Sequence, residues 1–102
     1  MIAVQDIKAR VAEKFCVSIA DLHSPSRRPI HVRPRHIAMM LVRDMRGHSF
    51  KRIAYFFGRK DHSGVLHGIA NVRYRAARNP DLAQAIADLR ASLEAGDGPA
   101  QD

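Results

Sequence analysis

The chain has 102 residues, 46% of them hydrophobic, which is enough for one small domain around one core. Its 17 Lys+Arg against 10 Asp+Glu leave a formal charge of +7, a balance that points to a polyanionic partner. A single cysteine excludes an internal disulfide and suits a reducing compartment, and no apolar run approaches the ~18 residues of a membrane span.

In chain order, residues 2–15 place Val4, Ile7, Val11 and Phe15 at helical spacing among Lys8, Arg10, Glu13 and Lys14, an amphipathic first helix. Cys16, between Phe15 and Val17, is expected to be a buried structural thiol. Ser18-Ile19-Ala20-Asp21 reads as a capping-box variant that opens a very short second helix ending near His23. The Ser- and Pro-rich stretch 24–32, which carries Arg27 and Arg28, reads as a loop inside the single fold. Pro34 suits the first turn of a third helix running to about Met45 and closed by Gly47.

Residues 49–67, SFKRIAYFFGRKDHSGVLH, are the stretch that the rest serves. Ser49 caps a short helix with Ile53, Ala54, Phe56 and Phe57 as its apolar positions, and Gly58 stops it. Arg59 and Lys60 fill a turn, and Asp61 is the expected N-cap of a fifth helix, in which Val65, Leu66, Ile69 and Val72 recur on one face. Short helix, glycine-containing turn, second helix with a polar and basic start: this is the layout of a helix-turn-helix. The fifth helix runs to about Arg78. Asn79-Pro80-Asp81 then starts a last one, along which Leu82, Ile86, Leu89 and Leu93 fall about once per turn. Residues 96–102 are too poor in apolar groups to order themselves, so the domain is expected over 1–95, without strands or repeats. The charge is concentrated: residues 27–60 hold ten Lys/Arg (27, 28, 33, 35, 43, 46, 51, 52, 59, 60) against Asp44 alone.

Within residues 5–95 the sequence resembles the DNA-binding C-terminal domain of the bacterial replication initiator DnaA. The residues that carry the likeness, in order, are Arg33-Pro34-Arg35, Ile37 to Leu41, His48-Ser49, Ile53, Phe57-Gly58, Asp61-His62-Ser63 and Val65-Leu66-His67. The resemblance implies an all-α fold of five to six helices with a helix-turn-helix of the Trp-repressor-like type, and a partner in double-stranded DNA. It further implies that the helix from Asp61 reads the major groove through Asp61, His62, Ser63, Gly64 and His67, and that Arg27, with Arg28 beside it, reaches a minor groove. Polar and charged groups at a helix start suit base edges and phosphates, and a flexible arginine suits the negative potential of a narrow groove. Arg35, Arg43, Lys51, Lys60 and Ser49 are candidate phosphate contacts, which position a protein without reading sequence. Three positions in or near the base-reading surface depart from the family: His36, itself a candidate DNA contact, stands where Gln or a similar residue is usual, Ser63-Gly64 where a Thr pair is usual, and Gly68 where Ala usually follows His67. Base preference is therefore expected to be weaker or altered.

Six histidines raise the question of a metal, but His31 with His36 and His62 with His67 are five apart and have no second cysteine or carboxylate set beside them. Consecutive Asp61-His62-Ser63 is no catalytic triad, whose members converge from separate segments. No glycine-rich phosphate loop with its Lys-Ser/Thr is present. The expectation is therefore a non-enzyme with no metal, no cofactor and no nucleotide: a DnaA-box-like reader without an ATPase domain that regulates replication initiation or transcription. Such a reader could also recruit a protein partner through its first or last helix; the alternative is a protein-interaction module that keeps the fold and has lost base-specific readout. RNA is disfavoured because no aromatic stacking platform accompanies the basic patch. No basic stretch followed by an apolar one opens the chain, so no signal peptide and a cytoplasmic, nucleoid-associated location are expected.

Overall fold

Six consecutive residues of one helix, Ile37 to Val42, are each at most 3% exposed. A helix buried all round must be surrounded by the others. In the structure, a computed structural model that describes residues 2–96, this helix is α3 (Pro29–Arg46), and α1 (Val4–Lys14), α2 (Ile19–His23), α4 (Phe50–Phe56) and α5 (Ser63–Ala76) all pack on it. The last helix, α6 (Pro80–Glu94), closes the bundle against α1 and α5. Ile7 and Val11 of α1, Leu22 of α2, Ile53 of α4, Phe57 after it, Val65, Ile69 and Val72 of α5, and Ile86, Leu89 and Leu93 of α6 complete the core around α3. No strand occurs among the described residues. The expected all-α fold of five to six helices is thus present, with six.

Local chemistry sets most of the boundaries. Ser18 and Asp21 form the capping box of α2: the Asp21 amide donates to Ser18 Oγ at 3.0 Å, and the Ser18 amide to Asp21 Oδ2 at 2.9 Å. Asn79 Oδ1 accepts from the amides of Asp81 and Leu82, with Pro80 at the first position of α6. At the end of α4, Gly58 takes φ +67°, its amide donates to the Tyr55 carbonyl at 3.1 Å and the Arg59 amide to the Ala54 carbonyl at 2.8 Å. These are the two crossed bonds of a Schellman motif.

Three expectations require correction. The third helix begins at Pro29, not at Pro34, so the loop is shorter than residues 24–32. Two prolines can each open a helix; Pro29 takes the first position, and Arg28 before it is extended, as a residue preceding proline prefers. Pro34 then sits inside the helix at the cost of one backbone bond, with its ring buried in the packing. The fifth helix ends at Ala76, two residues before Arg78. Cys16, expected in the core, is exposed and has φ +56°. It occupies the left-handed position of a second Schellman motif, in which the Val17 amide donates to the Ala12 carbonyl and the Cys16 amide to the Glu13 carbonyl. Phe15 and Val17 pack against the core on either side of it, and the turn between them points the thiol outward. The expected tail lies, from residue 97 onward, outside the described residues.

Two polar groups brace the bundle. Lys8, 5% exposed, donates to the Phe56 carbonyl at the end of α4, lies 2.9 Å from His23 Nε2 and stands over the Phe57 ring. Burial holds its pKa below that of an ordinary lysine. Asp44 joins α3 to α5 and α6 by accepting from Arg73 at 2.7 Å and Arg90 at 3.3 Å. Burial raises its pKa, but the hydrogen bonds and charges of Arg73 and Arg90 together outweigh that and leave the carboxyl below its usual value.

Candidate nucleic-acid interface

The helix-turn-helix consists of α4, the turn 57–62 and α5. Ser49 caps α4, its Oγ accepting the Arg52 amide at 3.1 Å. Exposed Lys51 and Arg52 lie in the first turn of α4, and Ile53, Ala54 and Phe57 fix the helix to the core. At the start of α5 the capping bond comes from Asp61 as expected: Oδ1 accepts the Ser63 amide at 2.9 Å, and Ser63 Oγ donates to Oδ2 at 2.7 Å. The helix proper nevertheless begins at Ser63, with His62 as its flanking residue. The Ser63 amide, then its hydroxyl, hold the Asp61 carboxyl below its ordinary pKa, so it stays charged. Ser63 has committed its hydroxyl proton and faces a partner with lone pairs only.

One face of α5 enters the core through Val65, Gly68, Ile69 and Val72. The opposite side presents Gly64 and His67, exposed, with His62 exposed just before the helix. Asn71 and Tyr74, also exposed, continue the Gly64–His67 row at helical spacing; sequence reading passed over both. No atom lies within 4 Å of a Cβ built on Gly64, so the helix start is open on that side.

Arg35 holds the loop in front of α3. It is 5% exposed and donates through Nε to the Leu22 carbonyl at 2.9 Å, through Nη1 to Ser26 at 3.1 Å, and through Nη2 to Ser24 at 2.9 Å and Asp21 at 3.3 Å. The expectation of a phosphate contact at Arg35 is therefore corrected. A guanidinium fork presents donors at fixed angles, and here four carbonyls at the end of α2 and in the loop accept from it. Arg43 is half-buried at the α3–α4 corner, where Nη1 donates to the His48 carbonyl at 2.8 Å and the group stands over the Phe50 ring at 4.4 Å. Arg27, Arg28, Lys51 and Lys60 are exposed. Arg59, which sequence reading took for turn filler, donates to the Ser24 carbonyl at 2.7 Å and ties the turn before α5 to the loop of Arg27. The signal for it was faint: one more basic residue in a basic run.

These connections bring the loop and the helix start onto one surface. A cleft of about 600 Å³ is bordered by Arg27 and Ser26 on the loop side and by Arg59, Lys60, Asp61 and Gly64 on the other. His36 lines it as well, but its ring rests on α5 at Gly68. Burial, then the charges of Arg35 and Arg59, push its pKa below the ordinary histidine value, which favours the neutral ring. Among the described residues there is no group of three His, Cys, Asp or Glu that could hold a metal ion, and no helix long and apolar enough to cross a membrane.

The sequence family described as the bacterial DnaA protein helix-turn-helix matches residues 4–72, which include the loop, α4 and α5 as far as Val72. The chain belongs to this family. Among similar proteins, the chromosomal replication initiator protein DnaA of Magnetococcus marinus is 36% identical over 93 residues, 91% of this chain and 21% of that protein. DnaA of Geobacter sulfurreducens is 37% identical over 92 residues, 90% of the chain and 21% of its own length. For DnaA of Acinetobacter baylyi the figures are 38% over 79 residues, 78% and 17%. The chain thus spans about a fifth of the length of the curated DnaA proteins that it matches. In this DnaA-type domain α4 and α5 are the helix-turn-helix pair, with the basic loop beside them.

Proposed function

We propose that this domain binds double-stranded DNA at sites resembling the DnaA box, with the start of α5 in the major groove and Arg27 in the neighbouring minor groove. The observation that carries the reading is the shared cleft, in which Arg27 and the Lys60–Gly64 segment, distant in sequence, border one surface. A groove reader needs a helix end with free polar groups and a cation placed one strand away, and these residues supply both. Arg28, Lys51, Lys60 and the hydroxyl of Ser49 contact phosphates around this centre, and Arg43 adds positive charge from the corner. The domain acts here by binding, not by catalysis. The biological setting carried over from the relatives' names is replication initiation.

Salt-dependent binding to a duplex carrying a DnaA box and to a scrambled duplex tests this. A reader shows a steep fall of log K with log salt on both and a higher affinity for the box. An adaptor that kept the fold and lost DNA contact shows neither, and that result sinks the proposal.

A further inference from the structure

Gly68 lies in the middle of α5 on the face turned to α3, and it is buried. A Cβ built there would stand 2.5 Å from His36 Cδ2, 2.7 Å from Cγ and 2.8 Å from Nε2. Three atoms of one ring at such distances mean that the imidazole lies against the helix backbone, and no small torsion of the side chain clears a methyl group. Carbon atoms pack at about 3.5–4.0 Å, so an alanine at 68 would require about 1 Å of displacement between ring and helix. His36 lines the basic cleft and also a separate, mostly apolar groove of about 490 Å³ formed with Ile30, Ile37, Val72 and Leu82. It is the partition between the two.

Positions 36 and 68 are also two of the three at which this sequence departs from the DnaA pattern. The two touch across the α3–α5 contact, a ring on α3 against a helix position without a methyl on α5. We propose that His36 and Gly68 are a matched pair that sets how closely α5 lies on α3, and that through it His36 positions the Asp61–Gly64 helix start for base reading. Gly64 is one turn from Gly68, about 6 Å along a rigid helix axis, so a shift of the helix at 68 reaches the reading residues almost undiminished. His36 is then a positioning residue whose ring serves α5 and not a base or phosphate. The inference rests on the DNA reading proposed above.

Four proteins decide it: wild type, Gly68→Ala, His36→Gln and the double variant. For each, the melting temperature and the affinities for box and scrambled duplex are measured at one salt concentration. Gly68→Ala is expected to lower the box-to-scrambled ratio roughly 5–10-fold, within the range of one lost base contact, and to lower the melting temperature. The double variant recovers both relative to Gly68→Ala, because without the ring the methyl has room. If Gly68→Ala does not fold, the double variant compared with His36→Gln supplies the same result: Ala at 68 is harmless once the ring is gone. A Gly68→Ala protein that loses stability but keeps the wild-type ratio overturns the positioning role, as does a double variant no better than Gly68→Ala. A wild type without salt-dependent binding to either duplex overturns the DNA reading itself, and with it the part of the pair in base selection.

Discussion

Arg35 and Arg59 donate to the same oxygen, the Ser24 carbonyl, at 2.9 and 2.7 Å. Two guanidinium groups converge there, and among the described residues no carboxylate is bonded to either. Burial lowers the pKa of Arg35, and the neighbouring charge of Arg59 lowers it further, yet both remain far into the charged range. The junction joins the loop carrying Arg27 to the turn that leads into α5. The arginines in the middle of the basic run are thus divided in role: some fasten the loop, and the exposed ones are left for a ligand.

Arg35→Ala is expected to destabilise the fold by about 3 kcal/mol, since carbonyls of the loop lose a charged donor with no replacement. Arg35→Lys recovers little, because an ammonium cannot span the fork of carbonyls. Urea unfolding monitored by circular dichroism measures both, and an alanine variant within about 0.5 kcal/mol of wild type would contradict the anchoring role.

Lys51→Ala and Lys60→Ala are expected to behave in the opposite way. Both side chains are exposed, so stability should stay within about 0.5 kcal/mol of wild type. Each should lower the slope of log K against log salt by about one unit on box and scrambled duplex alike. An unchanged slope in both would remove them from the phosphate contacts.

Cys16→Gly should stabilise the protein by about 1 kcal/mol, by relieving the left-handed φ of +56° at no packing cost, because the thiol is exposed. Cys16→Ala keeps the strain and should leave stability nearly unchanged. Thermal melts of the two variants decide this. The exposed thiol should also react with a maleimide in the native state as fast as in the unfolded one, and slow native labelling would contradict its exposure.

Elements fixed by short-range chemistry were legible in the sequence: the Ser18/Asp21 box, the Ser49 and Asn79 caps, and the stops at Gly47 and Gly58. Features set by the surroundings were not. Pro29 and Pro34 are equally good openers locally, and only packing around α3 selects the first. Cys16 has apolar neighbours on both sides, but the Schellman turn faces it outward, and no glycine marks that turn. Arg35 and Lys60 look alike as charges in a run, yet one is buried under loop carbonyls and the other is exposed. For the candidate site, the helix start and the exposed arginines could be named from the sequence. The bond from Arg59 to Ser24 and the contact between His36 and Gly68 join residues more than thirty positions apart and needed the structure.

Acid should weaken the fold in two stages. The pKa of His23 is lowered by burial, then by Lys8 and Arg59, and that of His36 by burial, then by Arg35 and Arg59, both from an ordinary 6.5. Below that value the unfolded chain takes up protons before the folded one does. The contribution of both rings is therefore full above pH ~6.5 and is lost as the pH falls through their folded values. Asp21, Asp44 and Asp61 are lowered from 3.8, so their contribution is present above that value and is lost only in stronger acid. Melting temperature should fall as the pH drops below about 6.5, and the fall should flatten in a His23→Gln/His36→Gln variant. An equal fall in wild type and variant would mean that other groups take up the protons.

Gly64→Thr tests how this domain faces its DNA. Glycine in the first turn of a helix costs about 1 kcal/mol relative to alanine, and threonine recovers only part of that because of its branched Cβ. A Cβ at this position meets no side chain or other segment within 4 Å, so the site is open for a substituent. Gly64 is exposed and borders the cleft, where the proposed docking puts a base pair. A methyl against a thymine methyl, or a hydroxyl to a base edge, is worth about 1–3 kcal/mol of discrimination. The variant should therefore raise the ratio of box to scrambled affinity by at least about fivefold, the lower end of that range. Both proteins would be titrated against both duplexes at one fixed salt concentration, with melting curves as a control for folding. A ratio equal to or below that of wild type, in a variant that melts normally, would mean that α5 meets DNA by another face. The base-reading roles proposed for Asp61, His62, Ser63 and Gly64 would then fall together, since all four depend on the same orientation of one helix end.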